Sequence, residues 1–325
     1  MDRRAFNQLV GAAWPAVVLS PLAKKNYMES KIGIIGLDTS HATAFSKIIN
    51  QMADQGKTPF RVTMAYPWGS KNIKSSMERI PGYTEEIKKY QVKVTESMST
   101  LLQEVDYVLL ETNDGSAHLE QAIQVIEAKK PFFLDKPVAA NMQDVMKIYQ
   151  AAAKHNVPLF SASALRFAPS TQDVAKGKIG RVLGADTFTP ALKEPSHSDL
   201  FWYGIHGVAS QLTVMGSGCK QVQRFYREDM EVNVGEWADG RLGTFRGLRA
   251  SKHDYGGYAY GTDGIATVGK YEGYEPLVQE ILRFFESRIP PVTPAQTLEI
   301  YAFMTAAAES SRLGGKPVEI AQYIK

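Results

Sequence analysis

The sequence predicts an α/β protein in two parts. A doubly wound parallel sheet comes first, then a second α/β domain with a large, mainly antiparallel sheet left open on one face. Three observations carry this. Short apolar runs alternate with helical spacings from about residue 30 to 160, the pattern of βαβ units. Beyond that point the strands lengthen and show period-2 stretches, as in Val232-Asn233-Val234. With 325 residues, the chain accommodates two domains of ordinary size.

The first strand is 31–37, KIGIIGL, and it ends at a turn. A helix over 42–52 follows, with Phe45, Ile48, Ile49 and Met52 on one side. Strands are predicted at 60–65 and 92–95, the latter before a helix through Leu101 and Leu102. DYVLLE, 106–111, is the uninterrupted apolar core of a buried parallel strand. A helix over 118–129, a strand over 131–134, a helix over 142–155 and a strand over 157–162 complete the first domain. In the second, strands are expected at 181–190, 221–234, 241–249 and 264–268. Helices are expected at 203–215, 277–287 and 295–312. Asp239-Gly240 signals a hairpin, and the glycines of HDYGGYAYG read as a loop or bulge.

The bulk numbers exclude several roles. Hydrophobic residues make up 44%, charged residues 22%, and the net charge is +3, as in soluble globular proteins. No basic stripe with interleaved aromatics argues for nucleic acid, and no long uncharged apolar run argues for a membrane span. The single cysteine, Cys219, rules out an internal disulfide or a thiolate metal cage. Arg3-Arg4 stands before an apolar run over 9–23, interrupted by Pro15 and Pro21 and followed by Lys24-Lys25. Such a segment resembles a twin-arginine export signal and predicts an exported, periplasmic protein. Residues 1–28 are accordingly set apart from a dinucleotide-binding domain at 29–160 and a substrate and oligomerisation domain at 161–325.

The chemistry-bearing residues cluster at predicted strand ends. After Gly33 and Gly36 the chain reads Leu37-Asp38-Thr39-Ser40-His41. A dinucleotide turn has glycines where Asp38 and His41 stand, while Asp38, Thr39 and Ser40 all suit a helix cap. Lys136, after the strand PFFL, faces the crevice where such sheets bind ligands. His206, in Trp202-Tyr203-Gly204-Ile205-His206, opens a helix and has the chemistry of a proton acceptor. After the second strand, no acid is present for a ribose 2′-hydroxyl. Ser70 and Lys71 stand there instead and tilt the reading from NAD toward NADP.

DKPVAANMQDV and HLEQAIQVIEAKKPFFLDKP resemble the Gfo/Idh/MocA oxidoreductases. That resemblance implies NAD or NADP, a carbohydrate or cyclic polyol as substrate, and Lys136 and His206 as the catalytic pair. It implies cofactor contacts along Gly36, Asp38, Thr39, Ser40 and His41. Further contacts fall at Ser70, Lys71, Asn113, His118, Asp135 and Lys136. Arg166, His197, Trp202 and Tyr203 are expected to meet substrate. No residue is a metal ligand in this reading. Trp202 stands where the family has an aspartate, and Ala209 where it commonly has an acid. A second reading is a non-redox lyase, isomerase or sugar-binding protein, with a divalent ion among Asp38, His41, Glu111, Asp114 and His118. A homo-oligomer is expected, because an open sheet needs a cover.

Export signals lie outside packed domains. A chain shortened to begin near Ser30 is therefore expected to melt at the same temperature as the full chain. Loss of the folding transition would place 1–29 in the core.

Overall fold

The computed structural model describes residues 29–324. The paired arginines and the export segment lie outside the described residues.

The first sheet has β1 (Ser30–Ile35), β2 (Phe60–Tyr66), β3 (Lys93–Val94), β4 (Tyr107–Leu110), β5 (Phe132–Leu134) and β6 (Leu159–Phe160). Its order is β3-β2-β1-β4-β5-β6, and every pairing is parallel. Helices α1 (Ser40–Asp54), α2 (Lys74–Lys88), α3 (Met98–Glu104), α4 (Gly115–Glu127) and α5 (Met142–His155) connect the strands. All four residues of β4 are buried, as expected of a strand covered on both faces. Strand order reverses between β1 and β4, so the crevice for a ligand opens at their C-terminal ends. Gly36 shapes that crevice. Its φ is +97°, and a Cβ there would lie 2.5 Å from the Thr112 backbone nitrogen. Only glycine allows the two strand ends to come this close.

The second domain adds α6 (Pro169–Ala175), β7 (Val182–Pro190), α7 (Ile205–Met215), β8 (Cys219–Tyr226), β9 (Met230–Trp237), β10 (Leu242–Leu248), β11 (Gly256–Gly261) and β12 (Ile265–Thr267). The chain ends with α8 (Glu275–Ser287), α9 (Pro294–Arg312) and β13 (Val318–Glu319). The order is β12-β11-β7-β10-β9-β8-β13, antiparallel except for β7 beside β10. The expected hairpin at Gly240 joins β9 to β10.

Two expectations need correction, and helix α2 was not expected. The run 221–234 is two strands, because the charged turn Arg227-Glu228-Asp229 reverses the chain between β8 and β9. The tyrosine-rich glycine segment is strand β11, where Gly257 lets its backbone lie against Asp186 and Thr187 of β7. Helix α2 carries Pro81 and buries only Ser76 and Ile87, so no apolar stripe marked it.

Among the contacts that join the domains around the crevice are those of α8 and α9. Helix α8 packs into the core of the first sheet, with Phe285 4.7 Å from Tyr107 and Phe284 5.1 Å from Phe160 between ring centroids. From α9, Tyr301 Oη accepts the Val138 backbone N–H at 2.5 Å, which anchors the turn after Lys136. Within the second domain, Arg224 of β8 is buried and bonds both Glu231 and Asp199. Asp199 lies in the segment leading to Trp202 and His206, so this ion cluster seats that segment on the sheet. Removing one partner of a buried ion cluster strands the others. Arg224→Met is expected to cost about 3–5 kcal/mol, read as a lower urea midpoint with an unchanged slope. A cost under about 0.5 kcal/mol, the range of inert surface changes, would contradict the anchoring role.

Candidate active site

One cavity of about 460 Å³ lies at the crevice. From the first sheet it is lined by Thr39, Ser40, His41, Asn113 and Lys136. The second domain supplies Trp202, Tyr203 and His206, with Tyr255, Tyr271 and Tyr274. Its volume is in the range of small-molecule sites.

The α1 end of the cavity is built by a cap. Thr39 is extended and its hydroxyl accepts the His41 N–H at 3.4 Å. Of the three residues suited to cap this helix, Thr39 does so and Asp38 does not. Asp38 turns away and is fully buried, taking the Asn113 N–H at 3.0 Å and the Ser76 hydroxyl at 2.5 Å. Burial raises its pKa, against the pull of those hydrogen bonds. His41 instead places Nδ1 2.8 Å from Asp135 Oδ2. Asp135 is buried as well, and burial works to raise its pKa. The charges of His41 and Lys136 outweigh that and hold it low. Glu111, at the end of β4, is fully buried and neither of its oxygens has a hydrogen-bond partner. Burial first, then the charge of Asp135, push its pKa well up.

On the facing domain, His206 sits in the first turn of α7 with Nδ1 2.7 Å from Ser163 Oγ. Burial, with the positive charge of Lys136 beyond it, pushes its pKa well below that of a free imidazole. It is held neutral, as a proton acceptor must be at neutral pH.

Several expected contacts lie elsewhere. Arg166 borders a separate small void, with Lys136 and Ser163, and donates to Thr213 Oγ1 at 3.2 Å. Burial lowers its pKa to about 10. His197 is behind the wall, where its Nε2 accepts the Gly115 N–H at 3.0 Å and its ring meets Trp202. His118 is fully buried, its ring nitrogens 2.8 and 2.7 Å from the carbonyls of Pro137 and Thr112. It ties the ends of β4 and β5 and does not line the cavity. Ser70 is buried and donates to Asp114 Oδ2 at 2.5 Å, while Lys71 is exposed. The sequence reading missed Ser163, the three tyrosines, and Ser75, Arg79 and Tyr83 from α2. Tyrosine enrichment around 255–274 was the available signal. α2 offered none.

Fold and site together define a doubly wound nucleotide-binding domain facing a second domain that closes over its strand ends. Residues 30–163 match the oxidoreductase family with an NAD-binding Rossmann fold, Gfo/Idh/MocA. The match covers the first domain, and the second domain lies outside it. No curated protein matches the sequence. Among solved structures, a probable dehydrogenase from Thermotoga maritima is 19% identical with a TM-score of 0.73, over 90% of this chain and 99% of that one. Scyllo-inositol dehydrogenase from Lactobacillus casei, with NAD(H) and scyllo-inositol bound, is 17% identical with a TM-score of 0.70, over 90% and 99%. GenD2 from gentamicin A biosynthesis, in complex with NAD, is 16% identical with a TM-score of 0.73, over 93% and 99%. At these identities the likeness is one of fold.

The two desolvated histidines make a spectroscopic prediction. Burial, opposed in part by Asp114, lowers the His197 pKa to about 4, and His206 is lowered too. In a two-dimensional NMR titration both rings are expected to stay neutral at pH 6, where free histidine is mostly protonated. Titration of His206 near 6.5 would contradict its desolvation.

Proposed function

We propose that the protein is an NAD(P)-dependent oxidoreductase that moves a hydride between a nicotinamide and a carbon of a sugar or cyclic polyol. The observation that carries this is the convergence of Lys136 and His206 on one cavity at the switch point of the sheet. The nicotinamide half of a dinucleotide fits what is present. Gly36 keeps the strand ends clear of a side chain. Thr39 and Ser40 bring the N-terminus of α1, where phosphate is favoured, to the cavity that Asn113 and Lys136 also line. The adenosine half meets a closed stretch, because Ser70 is bonded to Asp114 and Ser76 to Asp38. Binding a whole dinucleotide exchanges those hydroxyl contacts. Of the Ser70–Lys71 pair, Lys71 remains open to a 2′-phosphate, so NAD and NADP are to be compared directly.

When bound, the nicotinamide supplies the hydride acceptor. The protein supplies the proton path and the orientation. With the proton of neutral His206 on Nδ1, facing Ser163, Nε2 is left to take a proton from the substrate hydroxyl as its carbon is oxidised. The Lys136 ammonium donates to the same oxygen and stabilises the charge that develops on it. Trp202, Tyr203 and Tyr255 offer ring faces and hydroxyls to a substrate rich in C–H and O–H groups. Inositols are the first substrates to try, since a relative of the same fold binds scyllo-inositol with NAD(H).

Two further features support assembly and location. Phe225, Leu242, Tyr258 and Ile265 are exposed on one face of the second sheet, a face that a second copy of the chain would cover. Light scattering tests that assembly. The Arg3-Arg4 segment supports export, which cell fractionation tests.

Absorbance at 340 nm with NAD+ or NADP+ and a panel of inositols and aldoses tests the reaction itself. Lys136→Ala and His206→Ala are each expected to lower kcat by about 10²–10⁴ with unchanged circular dichroism. Wild-type turnover in either variant would remove that residue from the mechanism.

A further inference from the structure

We propose that His41, Glu111 and Asp135 form a binding site for one divalent transition-metal ion at the strand-end crevice. The three side chains come from three elements, the first turn of α1 and the ends of β4 and β5. His41 Nδ1 is 2.8 Å from Asp135 Oδ2 and 3.9 Å from Glu111 Oε2, and the three donor atoms lie within 4.8 Å of one another. An ion making bonds of about 2.0–2.2 Å to nitrogen and oxygen bridges donors at such separations with small side-chain adjustments.

Proximity alone would not distinguish an ion site from a hydrogen-bonded cluster. Glu111 does. It is fully buried, one of its oxygens lies within 4.8 Å of the His41 and Asp135 donor atoms, and among the described residues neither of its oxygens nor Asp135 Oδ1 has a hydrogen-bond partner. Buried carboxylates are ordinarily paired, hydrogen-bonded or bound to a metal. Asp38, a few residues away, shows the ordinary solution, with an N–H and a hydroxyl on its oxygens. Glu111 has acceptor capacity on every lone pair and nothing filling it.

His41 is also placed as a ligand would be. It stands where a dinucleotide turn would have a glycine. Its ring is stacked on Phe45 at 5.3 Å and met edge-on by Tyr274 at 4.7 Å, which fixes its direction before any ion arrives. One imidazole with two carboxylates suits zinc, manganese, iron or cobalt better than calcium or magnesium. His41 also lines the cavity, so coordination positions left open by the protein face whatever the cavity holds. A hydroxyl, carboxylate or phosphate oxygen is the chemistry they would take. The proposal does not rest on hydride transfer and is tested without any turnover measurement.

The test uses the untagged full chain, stripped with a chelator and titrated with Co²⁺. The proposal expects one Co²⁺ per chain, a visible d–d absorption, its loss when Zn²⁺ displaces the cobalt, and a higher Tm with Zn²⁺. Glu111→Gln and His41→Asn should each weaken Co²⁺ binding at least about tenfold, the lower end of what losing even a supporting contact does. His253→Ala, at an exposed histidine, should leave it unchanged. No stoichiometric uptake by the wild type would overturn the proposal, as would uptake that neither variant weakens. A Glu111→Gln chain with a higher Tm, beside a wild type that does not respond to the ion, would assign Glu111 as a protonated structural group.

Discussion

Three carboxylates, Asp38, Glu111 and Asp135, are buried together at the C-terminal ends of β1, β4 and β5, and the site is organised by how each is answered. A charge taken out of water has to be met by donors, by an opposite charge or by a proton. Asp38 is met by the Asn113 amide and the Ser76 hydroxyl. That choice draws the segment after β2 and the start of α2 over the crevice, and puts Arg79 and Tyr83 on its wall. Asp135 is met by the charges of His41 and of Lys136 beside it, and its hydrogen bond to His41 holds that ring. Glu111 is fully buried and meets no hydrogen-bond donor among the described residues.

These answers depend on the scaffold rather than on loops. Gly36 allows the ends of β1 and β4 to approach. His118 ties the turns after β4 and β5, and Tyr301 reaches from α9 to hold the turn after Lys136. On the other side, Arg224 and Asp199 seat the segment that delivers Trp202 and His206. The cavity is thus formed where two frames meet, and the positions of Lys136 and His206 are inherited from β5 and α7. Such pre-organisation is what proton transfer and charge stabilisation require.

Much of this was legible in the sequence where one physical cause dominated. DYVLLE and PFFLDKP read as buried parallel strands because both faces demand apolar residues, and Lys136 followed from its place at a strand end. His206 followed from its helix. Where causes competed, the sequence was silent or misleading. α2 forms around Pro81 with few apolar anchors, held instead by the polar contact between Ser76 and Asp38. β11 is a strand despite its glycines, because those glycines permit close approach to β7. Arg166, His197, His118 and Ser70 were read as contacts for cofactor or substrate, but their polar groups are spent on neighbouring protein atoms. A polar residue near a strand end looks the same in sequence whether it serves a ligand or satisfies the backbone.

The central claim is that the carbon held between Lys136 and His206 gives up a hydride to a nicotinamide. The most direct measurement follows a deuterium label from the reacting carbon of a polyol, with NAD+ or NADP+ present. The account predicts deuterium at C4 of the reduced nicotinamide, one label for each polyol oxidised. Release of the label to water, with the nicotinamide unreduced and the substrate eliminated or isomerised, would contradict it and leave the fold with a different reaction.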